Sequence, residues 1–308
     1  LSAQVAHGFL APQSTGGRPG FGFTHGIVRE VAHSQLPRLQ SRRLHGMAAA
    51  WIESHTGDDR ASRLLELAHH WTEAGEDARA VACLLEESLR LFSQGFAVQA
   101  VQVGLRAMRA AGVEVPDGSD ALGAAIGANM AAIEALTEGR HPTELLETLG
   151  PPSAELALRL HAILSTAPFA FQSNQFEVFA WASTAAMRLV IENGAGPPHA
   201  FSMYSIIKSA LTGDRAGGAA WSRAALDLDA ATGGGALPAV GFIDTWFHGH
   251  WRAPLHDSVA VNEAGARRAL SDGDVQYASY NIAGGVNLAA ALGRRLDRVI
   301  AKGAEALQ

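Results

Sequence analysis

After Pro198 the chain alternates apolar helical runs with short turn-forming loops at a nearly constant interval, and this restricts it to a stack of helices. The loops centre on Thr212-Gly213-Asp214, Thr232-Gly233-Gly234-Gly235, Arg252-Ala253-Pro254, Ser271-Asp272-Gly273-Asp274 and Leu292-Gly293-Arg294. Comparable loops return after roughly 40 residues, close to the period of a two-helix repeat. Asp272-Gly273-Asp274 reads as a helix stop followed by an N-cap aspartate. The expected fold class is all-α, an α-solenoid of antiparallel helix pairs.

Upstream the spacing stays helical. Leu64, Leu65, Ala68 and Trp71 fall on one predicted face, and Gly75 is expected to end that helix. Further helices are expected at about 77–94, 96–111, 120–138, 143–149, 154–166 and 174–192, with Pro168 stopping the run that begins at Ala154. Breakers lie at Val113–Ser119, Gly150-Pro151-Pro152 and Asn193–Pro198. The stretch from Val113 to Pro152 fits no regular pair. At the N-terminus, Phe9, Phe21 and Phe23 flank the turn formers Gln13–Pro19, which predicts a hairpin, the sole β-structure. Helices at 25–33 and 39–54 follow it.

Composition excludes several classes. Apolar residues make up 48% of the 308 and charged ones 18%, enough for a sizeable core. The formal charge of −6 provides no basic field for nucleic acid or anionic lipid, so neither partner is expected. No segment approaches the ~18 uncharged apolar residues needed to cross a bilayer. The single cysteine, Cys83, allows no intrachain disulfide and reads as a buried inert thiol, so a cytoplasmic setting is expected. The chain opens at Leu1 and stops at Gln308 within a helical run, as expected of a piece of a longer protein.

Four stretches carry resemblances. Phe23-Thr24-His25-Gly26-Ile27-Val28-Arg29-Glu30, followed by His33, Leu36, Arg42, Arg43, Leu44 and His45, is similar to the junction where the ATPase module of large bacterial signalling proteins passes into a tetratricopeptide-like array. Gly26 and His33 depart from the usual aspartate and tyrosine. Ala68, Trp71, Gly75 and Ala80 match the small-aromatic-glycine-alanine pattern of a tetratricopeptide helix pair. His250-Trp251-Arg252-Ala253-Pro254-Leu255 and Gly273-Asp274-Val275-Gln276-Tyr277-Ala278-Ser279-Tyr280 resemble stretches in the helical region of proteins that join an ATPase to a sensor histidine kinase or nucleotide cyclase. The resemblance implies a winged-helix-like remnant of the ATPase module over 1–55, tetratricopeptide-like helices over 56–112, an irregular helical connector over 113–198 and tetratricopeptide-like pairs over 199–308. It also implies a noncatalytic module that couples partner or effector binding to a kinase or cyclase output. A regulatory repeat domain of an ATP-dependent transcription activator is the alternative.

Chemistry-bearing motifs are sparse. No Gly-Lys-Ser/Thr phosphate loop is present, because neither lysine, Lys208 nor Lys302, has the preceding glycines. No serine elbow or paired-carboxylate constellation stands out, and no cofactor is expected. The densest ligand-like cluster is His248, His250 and His256 with Asp244 and Asp257, the metal candidates on which a metal-dependent enzyme would rest. His69-His70, adjacent on a helix, are expected to splay apart. Arg38, Arg42 and Arg43 form the local basic cluster, and the resemblance assigns them to packing against the ATPase. Among the second-half aromatics, Trp246, Trp251, Tyr277 and Tyr280 are candidates for a concave surface that holds a protein or small-molecule effector. The expected partners are therefore adjacent domains of the same polypeptide and such an effector.

Overall fold

The structure, a computed structural model, describes residues 2–15 and 18–305. The described chain is all-α apart from one hairpin: fifteen α-helices, three short 3-10 turns and a two-stranded antiparallel sheet. It divides into two compact units, Leu1–Glu86 and Glu87–Gln308.

The first unit opens with α1 (Ser2–Ala6), a short helix the sequence pattern did not predict. Strands β1 (Leu10–Thr15) and β2 (Arg18–Phe23) follow, with Leu10 opposite Phe23 and Pro12 opposite Phe21. The strands run further into the expected Gln13–Pro19 loop than its turn formers suggest, and Gly16 and Gly17 lie outside the described residues. Helices α2 (Gly26–Ser34), α3 (Arg38–His55) and α4 (Leu64–Ala74) come next. A fifth, α5 (Asp77–Ser93), contains the dividing line between the units.

Helix α4 packs on α3 through Leu64, Leu67, Ala68 and Trp71, all buried. Leu65 is 39% exposed, contrary to the expected face. One residue beyond Leu64 means a rotation of about 100°, so Leu67 takes the place assigned to Leu65. Trp71 lies under the Arg79 guanidinium, 3.4 Å from ring centroid to Cζ, and donates its indole N–H to Glu53 at 3.3 Å. Arg79 also pairs with Glu53 at 2.6 Å. Three side chains thereby close a buried aromatic with charge on its outer face. The predicted stop at Gly75 holds, with φ at 78°, the left-handed turn a side chain resists.

The second unit continues with α6 (Ala97–Ala110), α7 (Ser119–Thr137), α8 (Ala154–Gln172), α9 (Phe176–Asn193) and α10 (Pro198–Thr212). It ends with α11 (Arg215–Ala231), α12 (Leu237–Phe247), α13 (Leu255–Asp272), α14 (Val275–Ala291) and α15 (Leu296–Glu305). The five predicted loops after Pro198 all fall between helices. Asp214 and Asp274 cap their helices by accepting N–H bonds at 2.8 and 3.0 Å.

From α8 onward each helix packs on the next, and α8 with α10, α10 with α12 and α12 with α14 also meet. Contact with the neighbour and the next-but-one is how helix pairs stack into an array. The irregularity before Pro198 has a definite form: α7 packs on α9 while α8 packs on α6 and α9, so the sequence order is interleaved there.

Pro168 does not stop α8, which runs on to Gln172. A mid-helix proline costs about 3 kcal/mol. Beyond it Phe169 and Ala170 are buried, Phe169 stacking on Phe92 at 4.4 Å, and each large buried side chain returns about 1.5–3 kcal/mol. Packing of this last turn offsets the lost backbone bond.

Candidate functional site

Helix α12 is sorted into two faces by its sequence. Phe242, Ile243, Trp246 and Phe247 are apolar, whereas Asp244, Thr245 and the following His248 are polar and buried. Each polar residue is tied to a different neighbour. Asp244 accepts from the Ser222 hydroxyl of α11 at 2.8 Å and from Arg252. Thr245 accepts from Asn262 of α13 at 2.9 Å, and His248 meets Ser205 of α10 across 2.9 Å between Nε2 and Oγ. The Ser205 hydroxyl also lies 2.5 Å from the Ser202 carbonyl, which takes its hydrogen, so the His248 Nε2–H donates. Burial, partly countered by Asp244, pushes the His248 pKa down to about 4, so the ring is neutral.

Pinned this way, the apolar face of α12 walls a cavity of about 410 Å³. Helix α8 adds Pro168, Phe171 and Gln172, α9 adds Phe179, α10 adds Met203 and Ile206, and α14 adds Tyr277 and Tyr280. The aromatic rings interlock at the edges of the cavity. Phe171 meets Phe179 and Phe247 edge-on at 5.1 and 6.0 Å, while Phe242 lies 5.8 Å from Trp246 and 5.5 Å from Tyr280. Tilted and edge-on contacts at these distances are favourable arrangements that also hold rings in fixed orientation.

Polar points are few. The Tyr277 hydroxyl is joined to His199 Nε2 at 2.7 Å. Burial lowers the His199 pKa to about 4 and raises Tyr277 well above its ordinary value, so both are neutral. Tyr280, pushed up to about 12 by burial, accepts from the Gln276 amide at 3.0 Å, and its own O–H hydrogen has no acceptor among the described residues. None of the lining side chains is ionisable near neutral pH. The arrangement suits an apolar or aromatic guest oriented by one hydroxyl and the Gln172 amide.

The sequence-derived candidates are distributed unevenly. Trp246, Tyr277 and Tyr280 meet at this cavity. Trp251 lies outside it, 63% exposed beneath the Arg215 guanidinium. His248, His250 and His256 do not converge: His248 bonds Ser205, His250 is exposed beside the Trp251 ring, and His256 pairs with Asp257 at 2.8 Å. Arg38 and Arg42 line a polar groove of about 490 Å³ in the first unit with Glu73 and Asp77, and Arg43 does not. Arg42 is used within the chain, donating from Nε to the Ala74 carbonyl at 3.1 Å and covering Gly75. Cys83 is buried, and burial raises its pKa, as an inert thiol requires.

Two features escaped sequence reasoning. Phe171, Phe179 and Phe247 line the cavity but carry no motif, and only their helical spacing beside small residues marks them. His69 and His70, expected to splay, converge on His45 because a facing helix fills the angle between them.

Fold and cavity together define the class: an all-α helical-array protein with an aromatic-walled apolar pocket. No family model, curated protein or solved structure matches the chain.

Proposed function

We propose that the chain is a noncatalytic regulatory module whose second unit binds an apolar or aromatic effector in the α8–α10–α12–α14 cavity. The observation that carries the reading is the cavity itself, about 410 Å³ and walled almost wholly by aromatic and aliphatic side chains. Pockets of that size and polarity bind small molecules or the anchor side chains of a partner helix. The walls come from five separate helices between Ala154 and Ala291, so a guest favours one spacing of those helices over others, which is the differential contact a switch needs.

The resemblance of residues 23–45 to an ATPase junction supplies the context: effector occupancy is passed to adjacent domains of the same polypeptide, with a kinase or cyclase as output. Exposed apolar residues in the first unit, Phe9, Phe21, Phe23, Ile27 and Val31 among them, support a neighbouring domain packed there.

Titration with an apolar fluorescent dye such as 1-anilinonaphthalene-8-sulfonate, read by the dye's own emission, tests the site. Saturable one-to-one binding is expected, weakened at least tenfold by Trp246→Asp while the far-ultraviolet circular dichroism stays unchanged. Equal binding by the variant would remove the cavity from consideration. In a longer polypeptide carrying an output domain, the same substitution is expected to abolish effector-dependent activity.

A further inference from the structure

Four of the first unit's seven histidines, none of which the cavity or the proposed function uses, lie close together: His33 on α2, His45 on α3, and His69 and His70 on α4. The rings of His45, His69 and His70 form a nearly equilateral triangle, with centroids 5.6, 5.1 and 5.4 Å apart. One nitrogen of each lies within 4.8 Å of the others. A tetrahedral ion with metal–nitrogen bonds of about 2.1 Å places ligand nitrogens about 3.4 Å apart and ring centroids about 5 Å apart. The triangle already has that size.

We propose that His45, His69 and His70 bind a divalent transition-metal ion of the zinc class, with His33 as the residue that orients His45. His45 Nδ1 faces His70 Nδ1 at 2.9 Å, a separation that opens by about half an ångström when an ion replaces the shared hydrogen. The other nitrogen of His45, Nε2, lies 3.1 Å from His33 Nε2. With Nδ1 on the metal, Nε2 carries the hydrogen and donates it to His33, fixing the ring as outer partners of ligating histidines do. Three imidazoles select zinc, cobalt, nickel or copper over magnesium and calcium, which want oxygen. Glu73, close enough to act electrostatically on His45, offsets part of the ion's charge.

The bland reading is a hydrogen-bonded chain, His33–His45–His70, that merely ties three helices together. His69 separates the two. Its side chain is exposed and makes no hydrogen bond among the described residues, so a structural chain does not need it. The test is Zn²⁺ titration of the metal-stripped, tag-free chain against a chromophoric chelator, with Co²⁺ absorption as the geometric readout. One ion per chain is expected, with the intense visible bands of tetrahedral cobalt. His69→Ala is expected to leave the metal-free melting temperature unchanged and to weaken Zn²⁺ affinity at least a hundredfold. His33→Ala weakens it about 10–100-fold, and His256→Ala, an exposed control, leaves it unchanged. Wild-type affinity in His69→Ala, or no stoichiometric Zn²⁺ binding by the parent chain, overturns the site.

Discussion

His248 illustrates how one buried residue sets a measurable property of the whole. Its folded-state pKa is depressed to about 4, against 6.5 for the free side chain, because burial disfavours the imidazolium. Below pH 6.5 the unfolded chain gains a proton here that the folded chain refuses. The stability contribution is therefore complete above about pH 6.5 and is lost progressively as pH falls towards 4. Between pH 7.5 and 5 the loss from this residue is about 2 kcal/mol. His199, also lowered to about 4, acts in the same direction. Urea unfolding at the two pH values is expected to show the loss, and His248→Gln to remove about 2 kcal/mol of it. An unchanged pH dependence in that variant would mean the ring is already solvated in the native state. At this scale the sequence was least informative. The histidines of the 248–257 segment invite a metal reading because their spacing is visible, whereas the bond from His248 to Ser205 spans 43 positions and leaves no local trace.

At the scale of helices, two glycines show how close packing is obtained and what it protects. Asn262 on α13 and Asn281 on α14 each sit against a glycine of the opposite helix, so that a Cβ at Gly265 would lie 2.5 Å from Asn281 Oδ1 and one at Gly284 2.6 Å from Asn262 Oδ1. Each asparagine satisfies its amide hydrogens on carbonyls or hydroxyls, and each Oδ1 lacks a conventional donor. Each Oδ1 sits in the space a side chain on the facing glycine would occupy, so the approach needs the absence of that side chain. The position of the Gly284 Cβ would also be 2.7 Å from the Trp246 indole nitrogen, so the same glycine seats a wall of the cavity. Gly284→Ala is expected to destabilise by about 1–3 kcal/mol through overpacking and to weaken dye binding as Trp246 shifts. Gly285→Ala, whose new methyl meets only the flexible end of Lys302 at 3.4 Å, is expected to be neutral or to stabilise by up to about 1 kcal/mol. Thermal melts of the pair decide it, and equal melting temperatures would show that the helices re-space without cost. Elements were the legible scale. The loops, the cap at Asp274 and the stop at Gly75 follow from local chemistry, whereas Asp214, also a cap, reads in the sequence only as part of a loop. Pro168 misleads because burial of Phe169 and Ala170, which keeps α8 helical, is a tertiary effect.

At the scale of the molecule, the second unit behaves as a chain of neighbours, since each helix from α8 onward packs on the next one or two. Stability in such an array is a sum of helix-pair terms and interfaces between them, so a perturbation fades with distance along the stack. An effector in the cavity touches α8, α9, α10, α12 and α14 directly. At a hundred times its dissociation constant it adds about 2.7 kcal/mol to whatever opening exposes its site. Amide hydrogen exchange with and without the bound dye is expected to show the largest added protection in those five helices. Less is expected in α11 and α13, and least in α6 and α15, which contribute no wall. Uniform protection from α6 to α15 would instead mean that the unit opens as one cooperative body, and effector occupancy would then be felt equally at both ends. The graded outcome assigns transmission to the helices that share the cavity. Zn²⁺ supplies the complementary perturbation from the first unit, where added protection is expected in α2, α3 and α4, the helices that carry the four histidines.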